Sequence, residues 1–209
     1  MGAQSFRKTL GASPVSASVN NGAPFIKVLV VYTSAAAAGQ VNIVGAIQAA
    51  IDESNTVYSN SGIQQTLVIA GISQIAYNEA GKGLITMVNE LKATNDGYAD
   101  DVHPLRSQLK ADVVVMVYNN DALCGWSANI GSTFTSAFAI VHASCLNTTN
   151  LTLPHEIGHL QGARHDYAND TASVPRADGH GYVDPNRFWR TVMAIGNPCG
   201  FCDVVPYCR

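Results

Sequence analysis

The residues of this chain best suited to chemistry lie between positions 155 and 166, which read HEIGHLQGARHD. His155 and His159 stand at i and i+4, a spacing that stacks two side chains on one face of a helix. Two imidazoles so placed can grip one divalent ion. Zinc takes about four ligands, and its catalytic sites typically use three protein ligands and one water, so a third protein ligand is required. Gly162 suits the left-handed conformation that ends a helix, and a turn there brings His165 back towards the same ion. Glu156, one step from His155 and about 100° around the helix, is placed to reach a water beside the metal without ligating it.

The chemistry expected of this set is hydrolysis. Zn2+ held by His155, His159 and His165 would acidify water and polarise a carbonyl. Glu156 would serve as general base and then as proton donor, with no covalent acyl-enzyme. A single histidine is usually a core or surface residue, and a glycine such as Gly162 is often only a helix cap; the fixed spacing of all five positions together points to the metal.

The elements that must position these residues follow from periodicity. Ile26 to Tyr32 is an apolar, β-branched run bounded by Pro24 and Thr33, the pattern of a buried strand. Val41, Val44, Ile47, Ile51 and Val57 recur at helical spacing between Gln40 and Asn60, giving a long helix that ends at the Ser-Asn-Ser-Gly run. Thr66 to Tyr77 reads as a second strand, Leu84 to Leu91 and Leu105 to Lys110 as short helices, and Asp112 to Tyr118 as a third strand. Phe138 to Ala143 gives another strand, and Leu151 to Gln161 the helix that carries the histidines, with Pro154 tolerated near its first turn. After His165 the chain turns rich in Gly, Pro, Asp and Asn, with little periodicity before Phe188 to Ile195. The fold class expected is α/β (α+β): a twisted mixed sheet backed by helices in an upper lobe, a zinc cleft, and an irregular lower lobe. Residues 1–24 read as a tail or linker remnant and 25–209 as the catalytic domain, with 25–165 as upper and 166–209 as lower lobe.

Composition narrows the partners. With 209 residues, 47% of them hydrophobic and 13% charged, the chain has material for a sizeable core and too little charge for disorder. A formal net charge of −3 and no run of Lys or Arg leave no electrostatic footprint for nucleic acid or an anionic membrane surface. No apolar run reaches the roughly 20 residues that span a bilayer. No nucleic acid or membrane partner is expected, and the chain is expected to act as a monomer. The Cys residues at 124, 145, 199, 202 and 208 suit an oxidising compartment, so secretion is expected. Joining Cys124 to Cys145 would tie down the glycine-rich segment between them. Cys199, Cys202 and Cys208 leave three pairings and one odd thiol, or a second, structural zinc.

The pattern HExxHxxGxxH with a downstream Met resembles the metzincin clan of zinc peptidases. Asp166 after the third histidine resembles the reprolysin or adamalysin pattern. The stretch from Gly179-His180-Gly181-Tyr182 to Trp189-Arg190-Thr191-Val192-Met193-Ala194 is similar to bacterial members, the peptidyl-Asp metalloendopeptidases above all. The resemblance implies a secreted endopeptidase with Met193 as a hydrophobic floor beneath the imidazoles, a packing role for a soft side chain. Two departures stand out: Ile195 occupies the place where several related groups carry a Tyr, and the segment after Met193 is short and Cys-rich.

It also implies that the strand preceding the zinc helix is the edge on which an extended substrate binds, which nominates Phe138, Ile140 and His142. Ala194 and Ile195 would wall the pocket for the side chain that follows the scissile bond. Arg176, Arg187 and Arg190 are candidates for attracting an acidic residue there. His142 and His180 are candidates for substrate contact, weighed against ordinary hydrogen-bonded histidines. The rival reading is a zinc-binding adhesion or inhibitory module without turnover, against which the intact Glu156 speaks.

Overall fold

The computed structural model describes residues 24–120, 123–146 and 150–195, and the backbone of 203–204. The expectations for the tail before Pro24 and for Cys199, Cys202 and Cys208 lie outside the described residues.

A five-stranded sheet forms the scaffold, in the order β2-β1-β3-β5-β4. Strands β1 (Phe25–Tyr32), β2 (Thr66–Gln74), β3 (Val113–Tyr118) and β5 (Phe138–His142) run parallel. The short strand β4 (Gly125–Ser127) runs antiparallel to β5 and closes that side. The central strands are covered on both faces, which is why β3 reads as an unbroken apolar run.

Alternation along each strand sorts side chains between two cores. Val28, Val30, Val115, Val117, Ala139 and Val141 pack with helices α2 (Ile43–Asn60) and α5 (Thr152–Leu160). Leu29, Val31, Val114, Met116, Phe138 and Ile140 pack with α3 (Leu84–Lys92) and α4 (Val102–Leu109) on the other face. The helix bearing the histidines therefore lies on the α2 side, with Leu153, Ile157 and Leu160 as its core-facing stripe.

Helix α2 starts at Ile43 and not Gln40, because the Asn42 side chain accepts a bond from the Gly45 amide. A short Ala-rich helix, α1 (Ser34–Ala38), capped by Thr33, follows β1. Downstream of His165, regular structure among the described residues is confined to β6 (Trp189–Arg190), paired with β7 (Asp203–Val204). Among the described residues no helix is long and apolar enough to cross a membrane.

Candidate active site

Helix α5 begins after Leu151, whose left-handed backbone (φ 50°) turns the chain into the helix. It ends at Gln161, and Gly162 follows with φ 101°, so that the Ala163 amide returns to the Gly158 carbonyl at 2.9 Å. This is the left-handed turn the sequence calls for, and it folds His165 back over the helix. The amides of Gly131 and Ser132 cap the carbonyls of His159 and Leu160 at 2.8 and 2.7 Å, fixing the helix end against the loop after β4.

The three imidazoles converge through their Nε2 atoms. His165 Nε2 lies 3.2 Å from His155 Nε2 and 3.0 Å from His159 Nε2, and all three ligand atoms lie within 4.8 Å of one another. Nδ1 of His155 donates to the Val192 carbonyl at 2.8 Å, and Nδ1 of His159 donates to the Ala163 carbonyl at 2.8 Å. A carbonyl only accepts, so these bonds place the proton on Nδ1 and leave the Nε2 lone pairs bare. Burial, followed by the neighbouring His159, pushes His155 down to about 3. Burial brings His159 down to about 4 and also lowers His165. Neutral imidazoles with lone pairs aimed at one point fit a divalent cation: tetrahedral zinc with Zn–N of about 2.05 Å separates its nitrogens by about 3.3 Å.

Glu156 is buried and lines the same cleft as the three histidines. Burial raises its carboxyl to about 7, opposed by a bond donated from Ser127 Oγ to Oε2 at 2.6 Å. Ser127 Oγ also lies 2.8 Å from the Glu156 carbonyl. Gly125 leaves the space this carboxylate occupies, since a β-carbon there would stand 2.7 Å from Oε1. The cleft, about 610 Å³, runs between β4 and the segment Arg190–Ile195.

The sequence profile of metallo-peptidase family M12 matches residues 25–202. The chain belongs to this family. Among curated relatives, the peptidyl-Asp metalloendopeptidase of Stenotrophomonas maltophilia (strain K279a) is 43% identical over 183 residues, covering 85% of this chain and 43% of the relative. That of Xanthomonas campestris pv. campestris is 43% identical over 187 residues, covering 88% of this chain and 44% of the relative. The M12 chain thus spans less than half the length of these relatives. One chain of a solved chaperone–substrate complex shares the fold, with a TM-score of 0.67 at 20% identity, over 88% of this chain and 32% of that one.

Within this M12 site, Met193 is buried, with its sulfur against the α5 backbone at Gly158. Asp166 is buried as well; its Oδ2 accepts from the Ile195 amide at 3.1 Å and ties the end of the histidine motif to the turn after Met193. Ala194 and Ile195 line the cleft.

The edge-strand expectation is corrected. β5 is an internal strand, because β4 pairs outside it. Phe138 and Ile140 are fully buried on the α3 side, away from α5. His142 shares their parity; its Nε2 meets the Asn120 carbonyl at 2.9 Å and its Nδ1 the Ser144 hydroxyl at 2.8 Å. None of the three lines the cleft, where Gly125, Trp126 and Ser127 of β4 stand instead. His180 likewise bonds inward, Nδ1 to the His165 carbonyl at 2.7 Å and Nε2 to the Ala172 carbonyl at 2.9 Å.

The sequence reading missed Ser127, Gly125 and Gly158. Only Gly158 carried a local signal: a glycine inside a helix costs about 1 kcal/mol relative to Ala, and its presence there marks a close approach.

The disulfide Cys124–Cys145 joins the start of β4 to the turn after β5, matching the expected pairing.

Proposed function

We propose that this chain is a secreted, zinc-dependent endopeptidase that acts as a monomer on protein or peptide substrates. The observation that carries the reading is the convergence of three neutral Nε2 atoms in a cleft that also holds the Glu156 carboxylate. His155, His159 and His165 would hold the ion. When bound, zinc supplies the Lewis acidity that activates water and polarises the scissile carbonyl.

The protein's own residues do the rest. Val192 and Ala163 fix two of the rings in the tautomer that exposes Nε2. Glu156 takes the proton of the attacking water and returns it to the leaving amine. Ser127 holds the carboxylate in place, and Gly125 makes room for it. The backbone of β4, paired on one side only among the described residues, offers an extended peptide a strand to pair with. The name shared by the curated relatives, peptidyl-Asp metalloendopeptidase, supports cleavage at Asp. The Cys124–Cys145 disulfide supports a location outside the reducing cytosol. The reading of 25–209 as one catalytic domain, with the stretch from 166 as its lower lobe, is part of this proposal.

The test is turnover of denatured casein by the purified chain. Cleavage is expected to stop with a chelator, to return with Zn2+, and to be absent in Glu156→Ala. Cleavage that survives in Glu156→Ala would end this mechanism.

A further inference from the structure

We infer that Arg190 is the residue that selects an acidic side chain immediately after the scissile bond. This rests on the endopeptidase reading above and assigns its specificity to one guanidinium.

Five of the basic side chains after His159 can be placed. Arg164 is paired with Asp170, and the exposed Arg176 with Asp178 at 2.9 Å. Arg187 is exposed, stands at a backbone φ of 61° in the turn before β6, and does not line the cleft. His180 is spent on two carbonyls. Arg190 alone among them lines the cleft, beside His155, Ala194 and Ile195.

The guanidinium is half-buried and held by its own strand. The Arg190 backbone sits in β6 and bridges to Val183, and Nη1 donates to the Ala194 carbonyl. That bond turns the side chain onto the wall expected to receive the residue after the scissile bond. It leaves the Nε and Nη2 edge without a hydrogen-bond partner among the described residues. Asp166 acts on the guanidinium only through space; among the described residues no carboxylate lies within ion-pair distance of it.

A free Nε/Nη2 edge is one half of the fork that binds a carboxylate through two parallel bonds. Of the side chains lining this cleft, only Glu156 is acidic, so the cation there is answered by no resident carboxylate other than the general base. A substrate Asp supplies the missing anion. Asn, of the same shape, can accept at only one oxygen and brings no charge.

The experiment uses the zinc-loaded chain and two peptides that differ only in Asp or Asn after the cleaved bond. The readout is the ratio of their kcat/KM values, which does not depend on the fraction of active protein. Wild type is expected to favour Asp, and Arg190→Gln to reduce the ratio by about 10- to 100-fold, the range for a charged hydrogen-bonded pair. Should Arg190→Gln not fold, Arg190→Lys carries the same test: replacing a fork by a point charge lowers the ratio several-fold. A ratio unchanged in the folded variant, or a wild type indifferent to Asp and Asn, overturns the assignment while leaving the endopeptidase standing. A wild type that cleaves no peptide of either kind overturns the proposed function itself.

Discussion

The sulfur of Met193 rests on the bare backbone of Gly158: a β-carbon built at Gly158 would stand 2.6 Å from Sδ. Gly158 is the residue before His159, so the methionine supports the helix between His155 and His159. In Gly158→Ala the flexible thioether yields before the helix does. Stability is then expected to change by no more than about 1 kcal/mol, since added helix propensity offsets overpacking. Casein turnover is expected to fall about tenfold or more, because a displaced Met193 no longer supports the helix turn between His155 and His159. Thermal denaturation and turnover of the same sample check both halves.

Glu156 makes the metal-free protein's stability depend on pH in a definite direction. Its folded pKa is raised to about 7 from an ordinary 4.5, so the folded state binds the extra proton between those values. Stability is therefore lost as pH rises through that window. Glu156→Gln escapes the penalty. With metal chelated, the variant is expected to match wild type near pH 4.5 and to exceed it by about 3 kcal/mol above pH 7. Urea denaturation at pH 4.5 and 8 measures the difference, and a gap that widens towards acid would contradict the burial argument.

Ser127→Ala removes a bond that favours the ionised carboxylate. The acid limb of the kcat/KM profile is expected to move to higher pH, with the alkaline limb in place. A profile that moves towards acid would show that Ser127 does not favour the ionised Glu156 carboxylate.

Replacing both Cys124 and Cys145 by Ser opens a link that spans 21 residues. Chain entropy alone puts the loss at about 3 kcal/mol, readable as a lower urea midpoint. Because the link anchors the start of β4, KM for long peptides is expected to rise more than kcat falls.

Much of this architecture was legible in the residues themselves. The buried strands announce themselves as β-branched runs such as Val113 to Val117, and the histidine spacing with Gly162 specifies its own turn. The edge strand was not legible: Gly125-Trp126-Ser127 is too short for a period of two to show, and its pairing with Ala139 to Val141 is a long-range event. Missing β4 made β5 look like the rim of the sheet, which nominated Phe138, Ile140 and His142 although none of them lines the cleft. Ser127 and Gly125 escaped notice for the same reason, since each acquires its role only when β4 meets α5. Arg190 could not be told from Arg176 and Arg187 by sequence, because what separates them is the presence of a partner carboxylate and a place on the cleft wall.

The stretch from Asp166 to Ile195 has few buried apolar side chains of its own, chiefly Val192, Met193 and Ala194. It is stitched back onto earlier residues: His180 to the His165 carbonyl, the Ile195 amide to Asp166, the Val192 carbonyl to His155. His165, the carbonyl that orients His155, and the far wall of the groove all come from residues beyond Ala163. The groove and its histidine cluster are thus completed only when this stretch docks onto the sheet and helices that precede it.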